Sequence, residues 1–176
     1  NKDETLFSFI TSQNNRIPRI KSIIERTCLA RGTKKTFSGV EYYSFPTAEK
    51  IYDDDIGFYY DLGYGYRAPF IRDAAARLKT AVGELDGFGG LSTSDLKIAL
   101  TSFNGIGPKV ADCVSLFAYH RTDAFPVDTW IEKLYREDFG GQEKDRKKIN
   151  EFFVGTFGED SGYVQQYVFY YKRSIV

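Results

Sequence analysis

Apolar residues recur at spacings of three and four along most of this chain, and that period limits the folds open to it more than any other feature. The repeat is clearest at Ile17, Ile20, Ile23 and Ile24. Such spacing places apolar side chains on one face of an amphipathic helix. Glycine and proline interrupt the pattern at short intervals. Residues 41–43 could be extended, but the sequence has no set of segments with alternating apolar and polar residues from which a sheet could form. The sequence therefore predicts an all-α protein with short connections.

The predicted helices are short and follow one another closely. Their expected ranges are 3–12, 17–32, 47–53, 54–62, 67–82, 92–102, 109–120, 129–138, 145–157 and 161–173. We find no internal repeat and no linker that would separate two independent domains. A chain of 176 residues fits this expectation, since it has the size of one domain or two small lobes.

Composition excludes several classes of protein. Hydrophobic residues make up 42% of the chain, which supplies a packed core and excludes a disordered or low-complexity chain. No stretch approaches the roughly 18 apolar residues of a membrane span, and we expect no secretory signal at the start of the chain. Cys28 and Cys113 are too few for a four-cysteine zinc site or an iron–sulfur cluster. Both lie in helical patterns, which favours reduced thiols in a reducing compartment.

The net charge is zero, with 24 basic and 24 acidic residues, which argues against a protein that relies on bulk positive charge to bind nucleic acid. The charges are nevertheless segregated along the chain. Residues 14–35 hold seven basic side chains and one acidic, whereas residues 41–61 hold six acidic and one basic. Segregated charge can focus potential on one face, so a DNA partner is compatible with the neutral total. A solvated charged helix is the alternative.

Residues 103–109 carry the most informative motif. Gly105 and Gly107 bracket the apolar Ile106, and Pro108 opens a new helix. Glycines permit a tight turn with exposed backbone N–H groups, and these groups together with the following helix N-terminus form an anion site. Proline suits the first helical position because its missing N–H would have no partner there. The motif predicts a hairpin that holds a backbone phosphate, although an ordinary helix–turn–helix connection has the same pattern.

Two ionisable residues stand near this hairpin. Lys109 lies in the first turn of the helix, where the dipole and apolar neighbours such as Val110 and Val114 disfavour the charged ammonium. A neutral lysine amine is a nucleophile able to form a Schiff base. Asp128 follows Pro126 and precedes a helical run, as a helix N-cap does, and a capping carboxylate in a cleft can also stabilise a developing cation. A solvent-exposed lysine and a purely structural cap are the alternatives.

At these residues the sequence resembles a known family. G-I-G-P-K-V-A-D-C followed by F-P-V-D resembles the helix–hairpin–helix superfamily of DNA glycosylases, specifically its 8-oxoguanine DNA glycosylase/AP lyase branch. The segments S-Q-N-N-R-I-P-R-I, L-G-Y-G-Y-R-A and S-G-Y-V-Q-Q-Y-V-F look like signatures of the same branch. The resemblance covers residues 1–176 and implies a catalytic region of two helical lobes with the active site in the cleft between them. Members usually carry an N-terminal β-rich domain, which we expect to be absent from this chain.

The resemblance also implies roles for individual residues. Lys109 would attack C1′ of the damaged nucleotide, form a Schiff base and allow β-elimination, while Asp128 would stabilise positive charge on the sugar. The pocket for the flipped base would be formed by Cys113, Gln165 and Phe169. A flipped base leaves a gap in the duplex. Asn14 would fill that gap, and Tyr66 would wedge beside the unpaired cytosine. Arg19 and Arg67 would contact this cytosine. Gly105 and Gly107 would bind a DNA phosphate.

The function implied is base-excision repair. We expect a bifunctional glycosylase/AP lyase that excises 8-oxoguanine opposite cytosine, acts as a monomer on damaged double-stranded DNA, and has no membrane partner. No cofactor or metal residue is assigned, and a monovalent or divalent cation bound by hairpin carbonyls is left open. The expected location is the nucleoid of a bacterium or the nucleus of a eukaryote. The alternatives are a non-catalytic DNA-binding fragment and a glycosylase of the same superfamily for another damaged base.

Overall fold

The computed structural model describes residues 1–174, which are mainly helical, as predicted. Their elements are α1 (Lys2–Ser12), α2 (Ile17–Arg31), β1 (Lys34–Phe37), β2 (Val40–Tyr43), α3 (Ala48–Asp53), α4 (Ile56–Asp61), α5 (Ala68–Thr80), α6 (Glu84–Gly87), α7 (Thr93–Thr101), α8 (Pro108–Tyr119), α9 (Thr129–Glu137), α10 (Arg146–Phe157) and α11 (Ser161–Ser174). Short 3₁₀ turns cover Gly65–Arg67, Phe88–Gly90 and Gly158–Asp160. Every predicted helix is present, with its ends shifted by one or two residues.

The main departure from the prediction is a two-stranded antiparallel sheet, so the expectation that no segments would pair was wrong here. Strands β1 and β2 pair in the register Lys34 with Tyr43 and Phe37 with Val40. The two residues between them, Ser38 and Gly39, have φ of 49° and 78°. A two-residue turn with both φ angles positive matches the twist of paired strands, so this loop closes the ribbon. The short helix α6 was also missed.

Two separate hydrophobic cores divide the molecule into two lobes. The first core is built by side chains between α1 and α8, with Phe7, Ile10, Tyr59, Tyr64 and Leu100 among its fully buried members. The second is built by α9, α10, α11 and the segment before α9; its buried residues are Phe125, Val127, Ile131, Leu134, Tyr135, Ile149 and Phe153. This arrangement is the predicted pair of helical lobes.

Two ion pairs of a buried lysine connect the last helix to α9 within the second lobe. The Lys172 side chain of α11 is 4% exposed, and its Nζ lies 2.8 Å from carboxylate oxygens of both Glu137 and Asp138. These contacts lie at the end of α9 and fix the direction of α11, the helix that carries Gln165 and Phe169. In the described part of the chain, no helix has the length and apolar character needed to cross a bilayer.

Candidate active site

A cleft of about 1860 Å³ is lined by residues of both lobes and is the setting of the candidate active site. The first lobe contributes the end of α1, the start of α2, and the N-terminal half of α8. The second contributes the start of α9, part of α10 and one face of α11. Among the predicted site residues, those that line the cleft are Asn14, Gly107, Lys109, Cys113, Asp128, Gln165 and Phe169.

The hairpin between α7 and α8 takes the predicted form. Gly105 has φ of 80°, and a Cβ built on it would lie 2.4 Å from the Phe70 ring, so only glycine fits there. Ile106 is 6% exposed and anchors the loop in the first core. Gly107 is the N-cap of α8 and brings no side chain, while Pro108 occupies the first turn. The N-terminal backbone of α8 therefore remains accessible at the edge of the cleft, as phosphate binding would need.

Lys109 is half-buried beside an aromatic wall. Its Nζ lies 5.8 Å from the centroid of the Phe9 ring, and Phe9 in turn lies 5.4 Å from Phe117. Lys109 thus combines a place in the first turn of α8 with a neighbouring aromatic ring at the wall of the cleft. Sequence reasoning identified the lysine but missed Phe9, which comes from α1, one hundred residues earlier.

Cys113 lines the same cleft as Lys109 and Asp128. Burial raises the pKa of the Cys113 thiol to about 11, while the charge of Lys109 opposes the rise and the charges of Asp112 and Asp128 add to it. The thiol is therefore neutral near pH 7. Lys109 and Asp128, which are nineteen positions apart in sequence, line the same cleft as Cys113, so the fold brings all three predicted residues together.

Asp128 caps α9 with one of its two carboxylate oxygens. Oδ1 accepts hydrogen bonds from the backbone N–H groups of Trp130 and Ile131, both at 3.0 Å. Oδ2 has no hydrogen-bond partner within residues 1–174. The predicted N-cap is thus confirmed, and the second oxygen leaves a half-buried carboxylate charge in the cleft.

Gln165 and Phe169 lie on one face of α11, as their spacing predicts. Gln165 is 4% exposed, and its Nε2 donates to the carbonyl of Pro126 at 3.1 Å, which ties α11 to the segment that precedes Asp128. Phe169 packs against the second core, and the Arg173 guanidinium lies 5.9 Å from its ring centroid. A flat aromatic face and a buried amide therefore stand side by side on the second lobe.

The four residues predicted to contact the DNA gap also meet, at the end of α1. Asn14 has φ of 44°, and its Nδ2 donates to the Tyr66 hydroxyl at 3.2 Å. The Tyr66 ring is 52% exposed and lies 4.5 Å from the Arg67 guanidinium. Arg19 donates to the carbonyl of Gly63, which leads into the same turn. The exposed side chain of Asn14 and the exposed ring of Tyr66 therefore project together beside the cleft.

The position of the Arg67 guanidinium differs from the one that direct contact with a base would require. Its side chain is 5% exposed and donates hydrogen bonds to the carbonyls of Gln13, Asn14 and Tyr64. In this conformation the Arg67 guanidinium stabilises the turn that presents Asn14. Its N–H groups already donate to backbone carbonyls, so they do not point to a base. The direct contact of Arg67 with cytosine stays a prediction, as do the DNA contacts of its neighbours.

A polar network next to the hairpin escaped sequence reasoning. Asp112 is 4% exposed, and its carboxylate contacts Lys97 at 2.6 Å and Asn150 at 3.2 Å. The sequence did hold one signal for this network: Asp112 is the single acidic residue of α8, a helix with seven buried positions. A charge buried there needs polar partners. Among the described residues, no group of three or more His, Cys, Asp or Glu side chains is arranged to hold a metal ion.

The fold and the site geometry can be compared with known proteins. The sequence profile of the HhH-GPD superfamily, whose members are base excision DNA repair proteins, matches residues 7–156. The chain belongs to the HhH-GPD superfamily. Within it, the chain is 32% identical to a probable N-glycosylase/DNA lyase of Methanothermobacter thermautotrophicus, with 97% of this chain and 60% of that protein covered.

Other HhH-GPD relatives point to the same branch. An N-glycosylase/DNA lyase of Saccharomyces cerevisiae is 35% identical over 77% of this chain and 39% of its own length. The Clostridium acetobutylicum 8-oxoguanine glycosylase/lyase, solved with double-stranded DNA containing cytosine opposite 8-oxoguanine, superposes with a TM-score of 0.93 at 37% identity. That superposition covers 99% of this chain and 60% of the other. The chain thus spans between 39% and 60% of the length of these HhH-GPD relatives.

Proposed function

We propose that this chain is the catalytic region of a base-excision enzyme that removes 8-oxoguanine from double-stranded DNA and then cuts the strand as an AP lyase. The observation that carries the proposal is the placement of Lys109, Cys113 and Asp128 on the wall of one cleft. A lysine amine and a carboxylate in one cleft are the two groups that a glycosylase with lyase activity needs. The relatives named N-glycosylase/DNA lyase support the same reaction class.

The proposed chemistry follows from these two groups. The Lys109 amine attacks C1′ as the bond from C1′ to the base nitrogen breaks, and the purine leaves. Because departure of the base makes the sugar oxocarbenium-like, the Asp128 carboxylate stabilises the positive charge that develops. One Nζ proton passes to the departing base nitrogen and the other to O4′ as the C1′–O4′ bond breaks, which gives a Schiff base between Nζ and C1′. Loss of a C2′ proton then expels the 3′ phosphate by β-elimination.

The walls of the cleft suit a flipped purine. Phe169 offers one face for stacking, Cys113 lies on the helix that carries Lys109, and Gln165 provides an amide for the edge of the base. A base must leave the duplex to reach such a pocket, and a side chain must fill its place. Asn14, held beside Tyr66 at the mouth of the cleft, is the proposed filler. The solved relative with cytosine opposite 8-oxoguanine supports cytosine as the opposite base.

A strand-cutting assay on matched duplexes tests the proposal. The chain should release the base and nick a duplex that contains 8-oxoguanine opposite cytosine. It should leave the guanine–cytosine duplex intact and act more slowly when adenine is the opposite base. The variant Lys109→Gln should lose nicking, because glutamine cannot form a Schiff base. Binding without cutting of any duplex by the native chain would support a DNA-binding module and contradict the proposal.

A further inference from the structure

The buried carboxylate of Asp112 joins the two lobes next to the reaction centre. Its Oδ1 lies 2.6 Å from Lys97 Nζ on α7, and its Oδ2 accepts a hydrogen bond from Asn150 Nδ2 on α10 at 3.2 Å. Asp112 belongs to α8, three residues after Lys109. The helix of the proposed nucleophile is thereby bound to a helix of the second lobe.

Asn150 carries this connection to the other proposed reacting group. The same Nδ2 that donates to Asp112 also donates to the carbonyl of Phe125 at 2.6 Å. Phe125 is buried in the second core, and the segment 125–128 leads straight from it to Asp128. One amide group thus spans the helix of Lys109 and the segment of Asp128, with both of its N–H groups used.

Packing alone does not account for a carboxylate at this position. Burial raises the pKa of Asp112 to about 6, with the nearby charge of Asp123 adding to the rise and Lys97 opposing it. The side chain is therefore mostly ionised at neutral pH although only 4% of Asp112 is exposed. A buried ion pair is seldom the most stable way to fill such a space, because both charges lose hydration.

We propose that Asp112 and Asn150 are positioning residues that fix the separation of Lys109 and Asp128 across the cleft. Neither residue touches the reacting atoms; each acts through the helix or segment to which it is bound. This inference rests on the proposed function of the cleft. A small misplacement of a nucleophile lowers the rate of chemistry far more than it lowers affinity for the substrate.

The test separates chemistry from binding by single-turnover excision and by affinity for a duplex that carries a tetrahydrofuran abasic analogue. In Asp112→Asn, the excision rate should fall about tenfold, while affinity for the analogue stays within about twofold of native. Asp53→Asn is the matched control, since it also removes an aspartate paired with a lysine, at 2.7 Å, but on the exposed surface away from the cleft. Its excision rate should equal the native rate.

A double-mutant cycle tests whether the two residues act as one unit. Asp112→Asn combined with Asn150→Ala should be no slower than the slower single variant, because either change breaks the same connection. If Asp112→Asn does not fold, Lys97→Met replaces it in the test. The Lys97 side chain is 29% exposed, so its substitution removes the ion pair of Asp112 from the edge of the network and should also slow excision.

Four outcomes would overturn the inference, and they show whether the proposed function falls with it. Native excision rates in Asp112→Asn, or fully additive losses in the cycle, would show that the residues do not position the site, while the proposed function stands. Equal losses of affinity and rate would reduce Asp112 to a structural role. A native chain with no excision activity at all would overturn the proposed function and this inference together.

Discussion

At the scale of single residues, the site is built from side chains that serve the fold and the chemistry at once. Asp128 divides these tasks between its two oxygens: Oδ1 caps α9, and Oδ2 is free of hydrogen bonds within residues 1–174. Cys113 is held neutral by burial, so it offers the pocket an apolar wall and not a second nucleophile. Lys109 is thus the nucleophilic side chain proposed for this cleft.

The division of tasks at Asp128 predicts a variant that folds but does not excise. Asparagine caps helices about as well as aspartate, so Asp128→Asn should change the free energy of unfolding by less than about 1 kcal/mol. Without the carboxylate charge, base excision should fall on the order of 100-fold. Thermal unfolding and single-turnover excision measure the two effects.

Asp145→Asn is the matched control for that variant. Asp145 caps α10 by accepting from the N–H of Lys147 at 2.9 Å, and it also lines the cleft. Its replacement should affect excision by less than about threefold, since generic surface charge is screened. Comparable excision by Asp128→Asn and the native chain would remove the Asp128 carboxylate from the mechanism.

At the scale of elements, the hairpin between α7 and α8 shows which parts of the site follow from sequence. Its two glycines and Pro108 predicted a turn followed by a helix, and the geometry agrees. The hairpin β1–β2 was missed because four-residue strands with exposed side chains lack the buried alternation that identifies a strand. The network of Asp112 was missed because its partners, Lys97 and Asn150, lie on other helices and leave no local pattern.

The two hairpin glycines should respond differently to alanine. In Gly105→Ala, the alanine would have to adopt φ of 80°, and its Cβ would lie 2.4 Å from the Phe70 ring. We therefore expect the free energy of unfolding to fall by about 2–4 kcal/mol. Gly107 has φ of −94° with open space at its Cβ, so Gly107→Ala should cost about 0.5 kcal/mol, the difference between the two residues as N-caps. Chemical denaturation of both variants checks this; equal losses would contradict the geometry.

At the scale of the whole molecule, the segregated charges partly cancel where the basic and acidic segments meet. Arg31 pairs with Asp54 at 2.6 Å, and Lys34 pairs with Glu41 at 2.7 Å. Five of the seven basic side chains in residues 14–35 have no ion pair within residues 1–174, and three of them, Arg16, Arg19 and Lys21, lie at the start of α2; the other two are Arg26 and Lys35. The positive potential predicted from the sequence is thus concentrated toward the mouth of the cleft, where Arg16 lies.

This distribution predicts a modest salt dependence of DNA affinity. With two to four phosphate contacts, the slope of log Kobs against log salt concentration should be about −2 to −4. Arg16→Gln should flatten the slope by about 1, because it removes one phosphate contact. Lys34→Gln, which breaks a surface ion pair at the far end of α2, should leave the slope unchanged. An affinity independent of salt would show that the basic segment is only a solvated face.

The central claim is that Lys109 becomes covalently bound to DNA, and borohydride reduction during the reaction tests it most directly. Reduction converts a Schiff base into a stable amine, so the native chain with an 8-oxoguanine duplex should give a cross-linked species whose modified peptide contains Lys109. Lys109→Gln should give none, whereas Lys147→Gln, which removes an 84% exposed lysine side chain from the same cleft, should cross-link like the native chain. An undiminished cross-link in Lys109→Gln would contradict the account.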